Sequence, residues 1–272
     1  MMCGRCGLGF VPVALALFSL ATFVITYIIS RLRNDTSWFP AISDTADHSP
    51  ESNVFGFLFN MCAAVALLTT FIRYLQLRHD ADWNERDRQL LIKLNKVAML
   101  FGVLSSLGAC IVANFQEDAV AFVHIIGALM VFLCGIVYSW IQSLISYKMK
   151  VCGLITSTLL VLRLLLTIGA TVFFIACAAA TSYASKDWVR YHASGTTYPQ
   201  RWDPNDKNYI HHVVGDVSEW LTALMLLGFM ASFFGEFRFV KMKIVVSRRT
   251  QQSVPLATGM GSDDPLYTSL YV

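Results

Sequence analysis

The protein has 272 residues, of which 56% are apolar and only 14% are charged, and its formal net charge at pH 7 is +3. A soluble domain usually has about a quarter of its residues charged, so these charges are too few to cover a water-soluble globule. The composition therefore indicates a membrane protein with little chain left for a soluble enzymatic domain. The small net charge gives no case for nucleic-acid binding.

Six long apolar runs predict six transmembrane helices, because in lipid the backbone can satisfy its hydrogen bonds only within a helix or a closed barrel. At a rise of about 1.5 Å per residue, each run is long enough to cross a hydrocarbon core of roughly 30 Å. The runs cover residues 8–29, 54–72, 97–115, 119–145, 154–183 and 210–234. The first run is longer than the core of a signal peptide, so we expect it to remain as a helix.

The predicted fold is an all-α, polytopic membrane protein, with a six-helix bundle over residues 1–240 and a flexible cytosolic tail over residues 241–272. One side of this topology carries fourteen Lys and Arg residues and the other carries six. Because positive loops stay in the cytosol, both termini are expected there. The sequence contains no internal repeat and no Gly/Pro-broken span, which disfavours a secondary transporter.

Polar residues inside the predicted spans are costly to bury, and they mark either functional sites or contacts between helices. Arg163 and Glu219 lie at similar depths in consecutive antiparallel spans, so we expect them to form an ion pair. Such a pair either fixes how the helices dock or acts as a coupling or proton-relay pair. The predicted intramembrane polar network consists of Asn114, His124, Arg163, His212, Asp216 and Glu219.

The non-cytosolic ends of the spans carry a second polar pattern. His212, Asp216 and Glu219 are spaced four and three residues apart, so they share one helix face. An unperturbed histidine titrates near pH 6.5, so a compartment near pH 5 would charge it. The alternatives are a lumenal acid sensor and plain interhelical hydrogen bonds. No zinc-ligand spacing, P-loop, nucleophile elbow or dinucleotide fingerprint occurs, so we expect no metal, cofactor or enzymatic activity.

Short motifs outside the spans predict modification and sorting. Cys3 and Cys6 lie beside the first span on the cytosolic side, where they are either palmitoylated or unmodified thiols. Asn34 begins an N-glycosylation sequon on the non-cytosolic side. In the tail, Tyr267 and Leu270 form a tyrosine-x-x-bulky-apolar sorting signal of the type that clathrin adaptors read. The final three residues, 270–272, also suit a PDZ groove.

Motifs at the borders of the loops, taken together, resemble the damage-regulated autophagy modulator (DRAM) family over residues 8–240. They comprise residues 42–45, 50–52, 55–56, 111–116, 124–128, 142–147 and 202–207, with Tyr209, His212, Glu219 and Trp220. The resemblance implies six spans with both ends cytosolic. It also implies a non-enzymatic, chiefly lysosomal protein that promotes autophagy and in some cases cell death. The chain departs from the family pattern at Asp216, at residues 185–199 and in its longer tail.

The sequence thus predicts a lysosomal or endosomal membrane protein that promotes autophagy without catalysis and has a link to cell death. The expected partners are membrane lipids, a clathrin adaptor at the tail, and the autophagy machinery or other membrane proteins. One alternative is a proton-coupled transporter or channel that uses Arg163, Glu219 and the histidines. The other is a plasma-membrane scaffold for a phosphatidylinositol 4-kinase, as in a related branch of the family.

Overall fold

A computed structural model of the chain describes residues 7–80, 87–191, 202 and 204–242. Cys3 and Cys6 lie outside the described residues, as do Tyr267 and Leu270 and almost all of the predicted tail. The compact helical unit ends at Lys241.

Helices are the only regular elements in the described part of the chain, and six of them are long and apolar enough to cross a membrane. The prediction of an all-α bundle with six spans is therefore confirmed. We number the helices α1 (Phe10–Arg33), α2 (Glu51–Asp80), α3 (Arg88–Asn114), α4 (Ala121–Val151), α5 (Ser157–Tyr191), α6 (Tyr209–Ala231) and α7 (Phe234–Phe237). A 3-10 turn at Asp44–Ala46 lies in the first loop.

Most helices extend past the apolar runs that predicted them. Helix α2 continues to Asp80 instead of ending at residue 72, and α3 begins at Arg88 instead of residue 97. The apolar run marks only the part of a helix that suits lipid, whereas backbone hydrogen bonding continues into the polar borders. As a result, several charged residues that were expected in loops lie on helices instead.

The six long helices form a ring in chain order, in which each helix packs against the next and α6 packs back against α1. Consecutive helices are antiparallel, so the ring has two distinct ends. We name the end at residues 34–50, 115–120 and 204–208 the long-loop end, and the end at residues 7–9, 152–156 and 238–242 the terminal end. A backbone hydrogen bond of 3.1 Å from Leu8 to Val240 joins the two segments nearest the chain termini.

Small residues allow α3 and α4 to approach closely. A Cβ atom on Gly108 would lie 2.7 Å from the carbonyl oxygen of Gly127, so only glycine fits at position 108 without movement. Nearby, α4 contains a π-turn at Met130–Cys134, and Ser105 donates a 2.9 Å hydrogen bond to the carbonyl of Val131 within that turn. The Ser105 hydroxyl thus supplies a hydrogen bond to a carbonyl group in the irregular turn, where the regular helical hydrogen bonding is interrupted.

The first loop lies across the long-loop end of the ring. The hydroxyls of Thr26 and Thr45 are 3.0 Å apart, and the indole N–H of Trp220 donates to the carbonyl of Pro40 at 2.9 Å. On its other side, the loop accepts a 3.0 Å hydrogen bond from the backbone N–H of Glu117 to Oδ1 of Asp47. These contacts fix the loop to α1, α6 and the turn before α4.

Candidate functional site

The terminal end of the ring is closed by a buried cluster of two arginines and one glutamate, which we name the arginine centre. Nη1 of Arg73 on α2 lies 2.8 Å from Oε1 of Glu236 on α7, and Nη2 of Arg163 on α5 pairs with the other oxygen of the same carboxylate. Both guanidinium groups are fully buried. One carboxylate therefore holds three helices together through two charge-assisted contacts.

Neutral groups satisfy the remaining arms of both guanidinium groups. Arg73 donates to Oε1 of Gln142 at 3.1 Å, and Arg163 donates to the hydroxyls of Ser146 at 2.7 Å and Ser232 at 3.0 Å. The ring of Phe233 lies between the two cations, with each guanidinium carbon 4.8 Å from its centroid. This full satisfaction is what makes two buried positive charges tolerable.

The predicted pair between Arg163 and Glu219 is wrong, because Arg163 binds Glu236 instead. The expected depths of the two side chains were counted from the ends of the apolar runs, which do not coincide with the ends of the helices. The sixth membrane segment extends to Phe237, so its far end packs beside the start of α5. Arg163 is six residues after Ser157, which places it opposite residues near Ser232 and Glu236. Glu219 lies much closer to the long-loop end.

Arg73 is the member of the arginine centre that was not expected from the sequence, because it was counted as a loop residue after a span ending at Ile72. A signal for its burial was present. Thr69, Arg73 and Leu77 are spaced by four residues, and all three are buried on one face of α2. The helical period therefore continued past the apolar run.

A cavity of about 690 Å³ occupies the centre of the ring. It is lined by α1, α2, α3, α4, α5, α6 and the first loop, and most of its lining is apolar. Its end near the arginine centre is lined by Tyr138 and Phe229, and the Tyr138 ring packs edge-on against Phe233 with 6.5 Å between centroids. A volume of this size is typical of pockets for small organic ligands.

The long-loop end of the cavity carries a group of carboxyl and imidazole side chains, which we name the acidic centre. It consists of Asp44, Glu117, His124, His212, Asp216 and Glu219. No Lys or Arg lines the cavity among the side chains that the structure describes. The acidic centre is therefore a cluster of carboxyl and imidazole groups at one end of an apolar chamber.

Contacts within the acidic centre lie both within α6 and between α4 and the end of α3. Nε2 of His212 lies 3.3 Å from Oδ2 of Asp216 one turn later on α6. Nδ1 of His124 lies 2.7 Å from the carbonyl oxygen of Phe115, and its Nε2 lies 3.8 Å from a carboxylate oxygen of Glu117. His124 thus connects α4 to the end of α3.

The first loop brings two further carboxyl groups whose protonation the surroundings alter. Burial, and then repulsion from neighbouring carboxylates led by Glu117 and Asp216, raises the pKa of Asp44 well above its ordinary value. Burial, and then repulsion from Asp118 and Glu117, raises the pKa of Asp47 to about 7. Both groups therefore favour the protonated form in an acidic compartment.

Three members of the acidic centre have the geometry to share a cation. Ligand atoms of Asp44, His212 and Asp216 all lie within 4.8 Å of one another. Sequence spacing gave no sign of this group, because Asp44 comes from the first loop and the other two residues come from the last long helix. Carboxylate and imidazole groups suit divalent cations, including zinc.

Asn114 lies apart from the rest of the predicted network. Its side-chain amide forms a reciprocal pair with Asn60 on α2, with N···O distances of 3.1 and 3.2 Å. Neither asparagine lines the cavity, and Asn114 is exposed. The pair is therefore a contact between α2 and α3 on the outside of the ring, apart from both polar centres.

The predicted glycosylation residue, Asn34, lies where α1 ends. It adopts a left-handed conformation with φ of 62°, and its backbone N–H donates to the carbonyl of Arg31 at 3.1 Å. Its side chain is exposed, but Thr36 of the same sequon is buried. Occupancy of this site stays a prediction.

These features define a class: a multi-pass membrane protein whose helix ring encloses a chamber between an arginine centre and an acidic centre. Residues 7–240 match the family model described as Frag1/DRAM/Sfk1/Cwh43P N-terminal domain. The chain belongs to this family.

Two of the curated relatives described below match nearly the whole chain, and a third matches half of it. The chain is 32% identical to DNA damage-regulated autophagy modulator protein 2 of Rattus norvegicus, over 88% of this chain and 86% of the relative. It is 34% identical to DNA damage-regulated autophagy modulator protein 1 of Mus musculus, over 90% of this chain and 97% of the relative. It is 35% identical to modulator of macroautophagy TMEM150B of Danio rerio, over 50% of this chain and 56% of the relative. No solved structure matches the chain at a significant level.

The motifs that suggested the family supply side chains to both polar centres. Asp44 of the acidic centre lies in the motif at residues 42–45. Gln142 and Ser146, which bind the two arginines, lie in the motif at residues 142–147. The motif residues Glu219 and Trp220 line the cavity and hold the first loop, respectively. The resemblance therefore rests on residues that build the interior of the ring.

Proposed function

We propose that this protein is a non-enzymatic membrane protein of lysosomes or late endosomes that promotes autophagy, with a link to cell death. The observation that carries the proposal is the similarity, over nearly the whole chain, to relatives named as autophagy modulators. The comparison covers all six spans, so the shared part is the helix ring itself.

In the proposed orientation, both termini face the cytosol and the acidic centre faces the lumen. The count of Lys and Arg residues supports this orientation. The acidic centre would then meet lumenal pH, and the raised pKa values of Asp44 and Asp47 suit an acidic lumen. The tail, with Tyr267 and Leu270, would meet clathrin adaptors in the cytosol.

The geometry supports a division of labour within the ring. The arginine centre ties α2, α5 and α7 together at the cytosolic end and gives the ring a fixed base. The acidic centre, with the first loop above it, responds to the lumen. A change of charge among Asp44, Glu117 and Asp216 alters the repulsion that the first loop must overcome to stay docked. Partners at the membrane surface would sense the position of that loop.

Location and autophagy are tested together in cells that lack the protein. An N-terminally tagged full chain, which leaves the tail free, is expressed beside lysosomal and plasma-membrane markers, with Tyr267→Ala in parallel. Turnover of an autophagic cargo is measured with and without an inhibitor of lysosomal degradation, and cell survival is scored in the same cells. We expect lysosomal residence, restored turnover, and loss of lysosomal residence in the variant. Normal turnover in cells without the protein would overturn the proposal, and surface residence of both forms would favour the kinase-scaffold alternative.

The cavity favours a second candidate function, movement of a small solute across the membrane. From the sequence, such a transporter or channel was expected to use Arg163, Glu219 and the histidines together. The structure separates Arg163 from the acidic centre, so any coupling group must come from the carboxylates and histidines that line the cavity. This function can be tested by measuring proton and solute flux in proteoliposomes that contain the full chain. Flux above that of protein-free liposomes would support it, and no such flux would argue against it.

A further inference from the structure

The geometry points to a binding site for a single-chain cationic amphiphile, a long-chain primary amine, whose ammonium head lies in the acidic centre and whose alkyl chain lies in the apolar cavity. This inference stands independently of the proposed role in autophagy. It follows from the shape of the cavity, from its charge, and from a buried oxygen without a hydrogen bond.

The cavity is long as well as large. On α6 alone its lining runs from His212 to Met230, which is about 27 Å at the rise of an α-helix. The lining residues on this helix recur every three or four positions, so they form one continuous stripe. The chamber therefore extends through most of the thickness of a hydrocarbon core, a shape that suits an alkyl chain lying along the ring axis.

Charge selects the head group. Four carboxyl groups and two imidazoles line the long-loop end, without a described lysine or arginine to balance them. Oδ2 of Asp216 is buried and accepts no hydrogen bond within the described part of the chain. Its close neighbour on α6 is Nε2 of His212, at 3.3 Å. An ammonium group with three N–H donors would supply both the missing charge and the missing donor.

The ring has a route by which an amphiphile can enter from the bilayer. In the described part of the chain, α4 packs against α5 through residues 135–151, whereas its first turns do not form a packed pair with α5. Ile125 on α4 and Ser182 on α5 both line the cavity at this level, and both are exposed. The opening lies near the acidic centre, so the head group can reach the carboxylates as the chain slides inward.

Among the described residues, the terminal end of the chamber presents no charged side chain for a second head group. Tyr138 lies between the cavity and the arginine centre. The two guanidinium groups there already donate hydrogen bonds to Glu236, Gln142 and Ser146. The described lining therefore carries ionisable carboxyl and imidazole groups at one end only, which distinguishes the site from a channel lined by such groups throughout.

Binding is measured on the purified full chain in a neutral detergent, with hexadecylamine, hexadecanol and hexadecanoic acid as probes of equal chain length. A radiolabelled amine reports affinity, and thermal unfolding of the protein reports stabilisation. We expect saturable binding of the amine with one site per chain, at least tenfold weaker binding of the alcohol, and no binding of the acid. Short amines should bind more weakly as the chain shortens. Equal binding of all three probes would overturn the proposal.

Variants separate the head site from the chamber. Asp216→Asn should weaken amine binding at least tenfold, whereas Asp118→Asn, which removes an exposed carboxylate that does not line the cavity, should leave it unchanged. Ala66→Phe fills the chamber and should weaken hexadecylamine binding but not the weak binding of butylamine. Unchanged amine binding in folded Asp216→Asn, or stabilisation by Zn²⁺ without stabilisation by the amine, would contradict the site as proposed.

Discussion

Nη1 of Arg73 lies 2.8 Å from Oε1 of Glu236, although the two residues are 163 positions apart in the chain. The contact joins α2 to α7 across the ring, and Arg163 binds the same carboxylate from α5. Because Glu236 is the shared anion, its loss would leave two buried cations without a counter-charge. The fold therefore depends on this carboxylate more than on either arginine alone.

Glu236→Gln should be strongly destabilising. Removing one partner of a buried ion pair costs roughly 3–5 kcal/mol, because it leaves an uncompensated buried charge. The free energy of unfolding, measured by denaturant titration in mixed micelles, should fall by about that amount.

Glu219→Gln is the matched control, since it makes the same chemical change in the same membrane segment. Among the side chains that the structure describes, Glu219 has other carboxylates as neighbours and no arginine, so its neutralisation should leave stability unchanged or raise it. A loss of stability in Glu219→Gln equal to that in Glu236→Gln would restore the Arg163–Glu219 pair that the sequence predicted.

Arg163→Lys should also destabilise the ring, by about 2 kcal/mol, although the charge is kept. Arg163 donates in three directions, to Ser146, to Ser232 and to Glu236, and a single ammonium cannot reach all three. The thermal unfolding midpoint in detergent reports the change. Arg78→Lys, at an exposed side chain near the end of α2, should leave the midpoint nearly unchanged. Equal midpoints for the two variants would show that the arginine geometry is unimportant.

Stability of the long-loop end should increase as the pH falls from 7 to 5. The pKa of Asp47 is raised from 3.8 to about 7 in the folded chain, so the folded state binds this proton more tightly than the unfolded state. Its stabilising contribution is complete below pH 4 and is lost as the pH rises through 7. The groups that face Asp47 are Glu117, Asp118 and Asp44, and all of them add repulsion when charged.

Asp47→Asn tests this dependence, because the amide keeps an acceptor for the backbone N–H of Glu117 and cannot ionise. Between pH 5 and pH 7, the wild type should lose about 2 kcal/mol more stability than the variant. Asp80→Asn, at the other end of the ring, should titrate like the wild type. A pH profile of Asp47→Asn that is superimposable on that of the wild type would contradict the prediction.

Gly108→Ala should destabilise the contact between α3 and α4 by about 1–3 kcal/mol, because the added Cβ overpacks it. The new atom would lie 2.6 Å from the Cβ of Met130 and 2.7 Å from the carbonyl oxygen of Gly127. Gly235→Ala is the control, since a Cβ there meets nothing within 4 Å. Thermal unfolding of the two variants side by side gives the comparison, and equal midpoints would argue against close helix approach.

The sequence alone was sufficient to predict the six spans and to predict which polar residues share one face of α6. Apolar runs located all six helices, and the spacing of His212, Asp216 and Glu219 placed them on one side, where they line the cavity. These inferences depend only on the helical period and on the cost of polar backbone in lipid.

Which side chains contact each other across neighbouring helices could not be predicted from the sequence and was seen only in the structure. Register between α5 and α6 depends on where the helices end, and the apolar runs do not mark those ends, so Arg163 was paired with the wrong glutamate. Asp44 reaches the cavity from the first loop, whose path no periodicity reveals. Asn114 pairs with Asn60 on the outside of the ring, and the side to which it points depends on the rotation of α3, which the sequence does not give.

The most direct test of the account compares the two polar centres in cells that lack the protein, with each variant expressed to equal abundance where it folds. Asp216→Asn should reach the lysosome at normal abundance but should not restore autophagic turnover, because the acidic centre is functional. Glu236→Gln should fail through low abundance, because the arginine centre is structural. Full restoration of turnover by Asp216→Asn at normal abundance would contradict the account.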